Sequence, residues 1–254
     1  MATAAKACQA CRQPAALFPF TMAFQPIVDT LAQRIVAHEA LVRGPNREGA
    51  AIVLAQLDST NIYAFDNACR VKAIELASSL GLQHRLNINF LPRAVYEPRA
   101  CVRATLEAAK RTGFDPTRLT FEITENEDLA DIDHLRAIMA EYRRQGFKVA
   151  LDDVGTGYSG LARIAELRPD VIKLDRALIK GCDTDSVRLA IVAAMIRLGE
   201  DTGIQVVLEG MERQPEVEAL RSVGGRFMQG FYFSRPVFEG LTTEADLAAG
   251  ALIH

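Results

Sequence analysis

Two adjacent carboxylates, Asp152 and Asp153, close the apolar run 149–151 and are followed at once by Gly155 and Gly157. Neighbouring side chains on a strand point to opposite faces. Two consecutive aspartates therefore share one site only where the strand is ending, and the glycines are read as that end. Paired carboxylates repel one another unless a proton or a cation sits between them; at neutral pH a divalent metal is the natural occupant. Taken alone, the segment also reads as a polar strand-to-helix loop with a helix cap. Other apolar runs, however, end the same way, in Glu39, Asn89, Glu122, Lys173, Glu209 and Gln229. All-oxygen ligands suit Mg²⁺ or Mn²⁺ better than zinc, and His38, His84, His134 and His254 show no zinc-ligand spacing. The ring holds more carboxylates than one cation neutralises. Two metals bridged by Asp152 fit the charge and the hydrolysis of a phosphate ester.

The elements that must carry these residues recur from Ala23 onward. Runs of strand length stand at 24–29, 34–41, 85–91, 119–125, 148–153, 170–175, 205–210 and 227–233. Stretches of helical periodicity lie between most of them, at 52–80, 100–113, 133–146 and 186–203. Gly81, Gly113, Gly146 and Gly203 are expected C-terminal caps. Alternating strands and helices imply a parallel sheet, and eight strands imply a closed TIM-like barrel of the α/β class, whose chemistry gathers at the C-terminal strand ends. An open doubly wound sheet is the alternative, but no GxGxxG follows the first run. Only four residues separate the first two runs, too few for a crossover helix, so the first strand is expected to be reversed.

A chain of 254 residues with 49% hydrophobic and 24% charged residues fits one large domain. Residues 1–21 are expected to be a flexible tail and 22–254 the barrel domain with its C-terminal tail; whether 242–254 forms a helix is left open. With 29 basic against 32 acidic residues and a net charge of −3, no bulk nucleic-acid binding is expected. No apolar run is long enough to span a bilayer, and no secretory h-region opens the chain. Five cysteines suggest a reducing compartment, so a cytoplasmic protein without membrane association is expected. The lone CxxC, Cys8 and Cys11, is a weak zinc or redox signal.

These residues carry a family resemblance. Glu39-Ala40-Leu41 stands in HEALVRG, and the chain resembles the EAL-domain cyclic di-GMP phosphodiesterases. The matching motifs FQPIV, EALVR, INFLP, FEITE, DDVGTGYSGL, VIKLD, LEGME and QGFYFSRP run in family order from Phe24 to Pro236. The resemblance implies a barrel with one antiparallel strand and hydrolysis of cyclic di-GMP to linear pGpG with Mg²⁺ or Mn²⁺. It implies that Glu39, Asn89, Glu122 and Asp152 hold one metal, and that Asp152, Asp153 and Glu209 hold the second. Lys173 would lie beside the attacking water, Glu212 and Gln229 would order water and lysine, and Gln25 and Arg43 would meet the substrate. Glu125 is similar to the family glutamate that fixes the glycine-rich loop after Asp153. A homodimer through the region around that loop is expected as a partner arrangement. Two residues depart from the family pattern: Val154 where Phe is usual, and Met211 where Val is commoner.

A catalytically silent module that binds cyclic di-GMP and acts on a protein partner is the competing reading, disfavoured because no ligand of the set is lost. A retaining glycosidase would use Glu122 and Glu209, but the chain has no Trp for sugar platforms and Asp152, Asp153 and Lys173 would go unused. No sensor or cyclase segment accompanies the barrel in these residues, so control is expected from oligomerisation, a partner or expression.

Overall fold

The computed structural model describes residues 17–95, 97–125, 132–157 and 160–251. In chain order the elements are β1 (Thr21–Asp29), β2 (Arg34–Arg43), α1 (Ala50–Leu54), α2 (Ile62–Ser79), β3 (Arg85–Asn89), α3 (Pro98–Cys101), α4 (Arg103–Thr112), β4 (Leu119–Thr124) and α5 (Ile132–Arg144). Then come β5 (Lys148–Val154), α6 (Gly160–Leu167), β6 (Val171–Leu174), α7 (Arg176–Ile179), α8 (Ser186–Thr202), β7 (Gln205–Glu209), α9 (Gln214–Ser222), β8 (Phe227–Gln229), β9 (Val237–Phe238) and α10 (Glu244–Ala251). Strands β2 to β8 pair in parallel, in order. β1 closes the ring, antiparallel to both β2 and β8. The TIM-like barrel with a reversed first strand is therefore the observed fold.

Side-chain alternation divides the barrel into an outside and an inside. Phe24, Leu86, Ile88, Leu119, Phe121, Ile123 and Val149 face the helices in one large cluster. There they meet Phe65, Cys69, Ala73 and Ala77, four residues apart along one stripe of α2. Leu151, Ile172, Leu174, Leu208 and Met228 do the same on the other flank against α8 and α9. Inside, Ile27, Ala37, Ala150, Val171 and Val207 pack together as an apolar floor. Two residues further along each parallel strand, on the same inward face, stand Glu39, Asp152, Lys173 and Glu209. On the reversed β1 the offset changes sign, and Gln25 lies two residues before Ile27.

Local chemistry accounts for the departures from expectation. The helical stretch 52–80 breaks in two, because Asp58 Oδ1 accepts from the backbone N–H of Thr60 and Asn61 at 2.7 and 3.1 Å. Such side-chain bonds compete with the helical ladder. The run 227–233 yields only three strand residues before the chain turns at Gly230. Gly81, Gly113, Gly146 and Gly203 all take positive φ, as expected of caps. Leu17, Phe18 and Phe20 of the expected tail pack against the core, and Thr21 already opens β1. Residues 1–16, with Cys8 and Cys11, lie outside the described residues. No helix among the described residues is long and apolar enough to cross a membrane.

On α5, Glu141 accepts from Arg144 Nη2 at 2.6 Å, Arg144 Nε at 2.9 Å and Gln145 Nε2 at 2.7 Å. The Arg144 bonds hold its carboxyl down to about 2 from an ordinary 4.5. A depressed carboxylate stabilises the fold above its unfolded value and loses that contribution as pH falls toward its folded one. Glu141→Gln should therefore lower stability at pH 7 by about 1 kcal/mol or less, since Arg144 is solvent-screened, and by clearly less at pH 2, where the carboxyl is part protonated in the fold as well. Equal losses at both pH values in urea denaturation would refute this linkage.

Candidate metal centre

Lys173 lies at the centre of the polar layer. Its Nζ is 3.2 Å from Glu39 Oε2, 3.0 Å from Glu122 Oε2, 3.2 Å from Asp152 Oδ2 and 2.8 Å from Glu209 Oε1. Four strands, β2, β4, β5 and β7, thus converge on the one ammonium that β6 contributes. Amides complete the shell: Asn89 Nδ2 donates to Glu39 Oε1 at 2.8 Å, and Gln229 Nε2 to Glu39 Oε2 at 2.8 Å. Asn87 Nδ2 donates to Glu122 Oε1 at 2.7 Å. Asn87 was not singled out from the sequence, although it stands two residues before Asn89 and so shares its face. The asparagine side chains leave Glu39 and Glu122 with fixed orientations before any cation binds.

The second aspartate reaches the site by a different route from the one expected. β5 does not stop at the aspartates but continues to Val154. Leu151 pairs with Ile172 and Val154 with Leu174, so β5 spends one residue more than β6 over the same interval. This is a β-bulge, and Asp153 sits in it with φ +57°. The extra residue brings the second carboxylate round beside the first, and the Asp153 N–H donates to Asp152 Oδ1 at 2.9 Å. Gly155 then ends the strand at φ +106°, where any Cβ would also strike Leu178. Val154 is buried in the cluster that also holds Ile164, Leu174 and Ile179, and it pairs with Leu174 across the sheet.

Glu125 anchors this bulge from the neighbouring strand end. Its Oε2 accepts from Gly155 N at 2.9 Å and Gly157 N at 3.4 Å, and its own N–H donates to the Asp152 carbonyl at 2.9 Å. Arg163 Nη1 donates to the Glu125 carbonyl. Thr156 Oγ1, one of the expected hydroxyl partners, donates to the Asp153 carbonyl at 2.9 Å. Tyr158, Ser159 and the acidic run 126–131 lie outside the described residues.

The remaining expected residues sit at the rim. A cleft of about 220 Å³ opens over the cluster, with Gln25, Glu39, Arg176, Glu209, Glu212 and Phe231 in its lining. Gln25 reaches the cluster through Gln229, whose Nε2 donates to Gln25 Oε1 at 3.2 Å. Gln229 binds Glu39 and Gln25 rather than Lys173. Glu212 does not reach the lysine either; it pairs at 3.0 Å with Arg176 Nη2. Arg176, unremarkable in the sequence, also donates from Nη1 to the Gly210 carbonyl. Arg43, at the C-terminal end of β2, is half-buried and donates to the Val42 carbonyl at 2.8 Å.

The electrostatics fit divalent cations. Glu39, Glu122 and Asp152 bring oxygens within 4.8 Å of one another, and so do Asp152, Asp153 and Glu209. Five carboxylates against one ammonium leave about four negative charges, the amount two divalent cations carry. Burial, reinforced by neighbouring carboxylates, pushes Glu122, Glu209 and Asp152 upward and Asp153 up to about 6. Burial also opposes charge on Glu39, but Lys173, Gln229 and Asn89 outweigh it and hold that carboxyl low. Burial likewise opposes charge on Lys173, yet Asp152, Glu122, Glu209 and Glu39 hold its ammonium well above the ordinary range. Buried Gln229 Oε1 has no hydrogen-bond partner among the described residues, leaving an acceptor for water or cation.

Fold and site together define a mixed α/β barrel of the divalent-metal class, its centre built at the C-terminal strand ends. A family model described as the EAL domain matches residues 13–236, and the chain belongs to that family. It is 45% identical to a standalone versatile EAL protein from Vibrio cholerae O395, solved in its c-di-GMP-bound form. The match covers 90% of this chain and 97% of that one at a TM-score of 0.87. Klebsiella pneumoniae BlrP1, in a manganese/cy-diGMP complex, is 36% identical over 90% of this chain and 59% of its own, with a TM-score of 0.84. Among curated relatives, the blue light- and temperature-regulated antirepressor BluF of Escherichia coli (strain K12) is 30% identical over 88% of this chain and 56% of its length. The probable cyclic di-GMP phosphodiesterase PdeD of the same organism is 28% identical over 86% of this chain and 42% of its length. The chain thus spans about half the length of these curated relatives.

Carboxyls held upward must lose protons when a cation takes their place. Mn²⁺ affinity should therefore fall steeply as pH drops from 7.5 to 5.5, with proton release on binding visible by calorimetry in buffers of different ionisation enthalpy. An affinity independent of pH over that window would contradict the charge assignment.

Proposed function

We propose that this protein hydrolyses one phosphodiester of cyclic di-GMP, giving linear pGpG. The observation that carries the reading is the undiminished site: every carboxylate, amide and lysine implied by the family pattern is present, and Lys173 joins four of the carboxylates directly. Retention of the full set favours turnover over a silent binding role.

In this reading Glu39, Asn89, Glu122 and Asp152 hold one divalent cation, and Asp152, Asp153 and Glu209 hold another. When bound, the cations supply Lewis acidity and offset the repulsion between the carboxylates and an anionic diester. Lys173 stays protonated and donates a hydrogen bond toward the attacking water, fixing its approach to phosphorus. Water adds to phosphorus as one P–O ester bond breaks, and the departing ribose oxygen ends with the proton that the water gives up. Gln25 and Arg43 orient the nucleotide at the rim. Glu125 keeps the bulge, and with it Asp153, in place. A second copy of the chain docking near this loop fits the 65% exposure of Leu161 at the start of α6, and the loop is where such a contact would act on the site.

Purified protein incubated with cyclic di-GMP and Mg²⁺ or Mn²⁺ should yield pGpG, and excess chelator should stop it. Ca²⁺ should support binding better than turnover, its longer bonds and looser geometry misplacing the water. Full activity in chelator would sink the two-metal reading. Lys173→Ala should cut the rate by about 10²–10⁴ while nucleotide still binds, whereas Asp152→Ala should lose metal and turnover together. Loss of nucleotide binding in Lys173→Ala with metal retained would show its role to be misassigned.

Glu125→Ala should cost on the order of 100-fold in rate, the scale of an ~1 Å misplacement, with the fold and the first metal retained. Wild-type turnover in that variant would remove the clamp from the mechanism.

A further inference from the structure

The family match ends at residue 236, yet the chain beyond it is tied into the site. Gln25 Nε2 donates to the Ser234 carbonyl at 3.0 Å, which leaves Gln25 Oε1 to accept from Gln229 at 3.2 Å. Gln229 in turn reaches Glu39 at 2.8 Å. On its other side Ser234 meets Thr242, with Oγ and Oγ1 2.8 Å apart. The Thr242 carbonyl lies 3.1 Å from His38 Nε2. His38 is the chain neighbour of Glu39 and faces out of the barrel where Glu39 faces in. The contacts therefore form a circuit around the rim of β1 and β2, from Glu39 through Gln229, Gln25, Ser234 and Thr242 to His38.

The donors in this circuit can be assigned. Ser234 Oγ donates to the Arg235 carbonyl at 2.9 Å, which commits its single hydrogen. Thr242 Oγ1 is then the donor in the contact with Ser234. Thr242 is buried, and the strand before it is pinned to β1: Glu239 N donates to the Met22 carbonyl at 3.0 Å and Thr21 Oγ1 to Glu239 Oε1 at 2.6 Å. An amide such as Gln25 has a donor end and an acceptor end, and the Ser234 carbonyl selects which end faces Gln229. If Ser234 shifts, that selection is lost.

We infer that Thr242 is a positioning residue for the substrate side of the cleft, holding Ser234 so that the Gln25 amide is fixed before ligand arrives. This deepens the cyclic di-GMP reading and rests on it for the identity of the ligand; the orientation of Gln25 does not depend on that reading. The segment after residue 236 is thereby part of the functional site of this chain.

The test compares Thr242→Val, which removes the hydroxyl at nearly constant shape, with Thr242→Ser, which keeps it. In ligand-free protein the side-chain amide resonances of Gln25, assigned through Gln25→Ala, should shift in Thr242→Val and stay in place in Thr242→Ser. With cyclic di-GMP, Thr242→Val should raise KM by about threefold to tenfold, the scale of one lost hydrogen bond. Its kcat and Mn²⁺ affinity should change less than twofold, and Thr242→Ser should match wild type. Unmoved Gln25 resonances in Thr242→Val overturn the inference. So does equal impairment of both variants, which would mark a packing role, or a shifted amide with unchanged KM. If wild type neither binds nor cleaves cyclic di-GMP, the functional reading fails, while the ligand-free resonances still decide for or against the Thr242 anchor.

Discussion

One ammonium held by four carboxylates is the interaction on which the rest of the molecule depends. Without a cation, Glu39, Glu122, Asp152 and Glu209 could not share so small a volume, since removing one partner from a buried charge cluster costs roughly 3–5 kcal/mol. Lys173 is 1% exposed, so its charge is barely screened by water. A single positive charge among five negative ones makes the arrangement incomplete by design of its charge count, and this deficit is what selects divalent cations. The lysine thereby supports the acidic layer in the free protein, and in the proposed mechanism it is the hydrogen-bond donor once cations share the load.

The barrel makes this crowding geometrically available. Inward residues of a closed sheet meet in layers, and the apolar floor of Ile27, Ala37, Ala150, Val171 and Val207 seals the interior beneath the acids. The reversed β1 contributes an amide, Gln25, to the same level. An acid there would add negative charge to a ring already in excess; an amide links Gln229 to Ser234 without adding any. The bulge in β5 supplies the one carboxylate that regular alternation would have sent outward.

Much of this was legible in the chain because polar residues end otherwise apolar runs. Glu39, Asn89, Glu122, Asp152, Lys173, Glu209 and Gln229 could be read that way, and the short link between the first two runs fixed the sense of β1. The bulge was not legible, since two aspartates before glycines look the same whether the strand stops or inserts a residue. Arg176 escaped notice because an arginine opening a helix is ordinary, and its partners Gly210 and Glu212 are set by folding alone. Thr242 and Ser234 meet through a turn that leaves no periodicity, and their link to Gln25 spans 209 residues. The two-residue β9 is likewise too short for alternation to show.

The floor and the cleft also give the site a direction. Below the acids the side chains are apolar and packed, so water and ions approach from the cleft side, where Gln25, Arg176 and Glu212 stand. The groups that need a fixed position, Glu39 and Glu122, are the most buried and are held by strand-borne amides. Glu209, 16% exposed at its side chain, ends β7, and Asp153 in its bulge is likewise only partly buried. The group of Glu39, Glu122 and Asp152 is therefore built into the sheet, while the group of Asp152, Asp153 and Glu209 is completed by the bulge and the Glu125 contacts. A perturbation at the loop after Asp153 reaches this second group first, so under the proposed function control from outside the barrel would enter through that half of the centre.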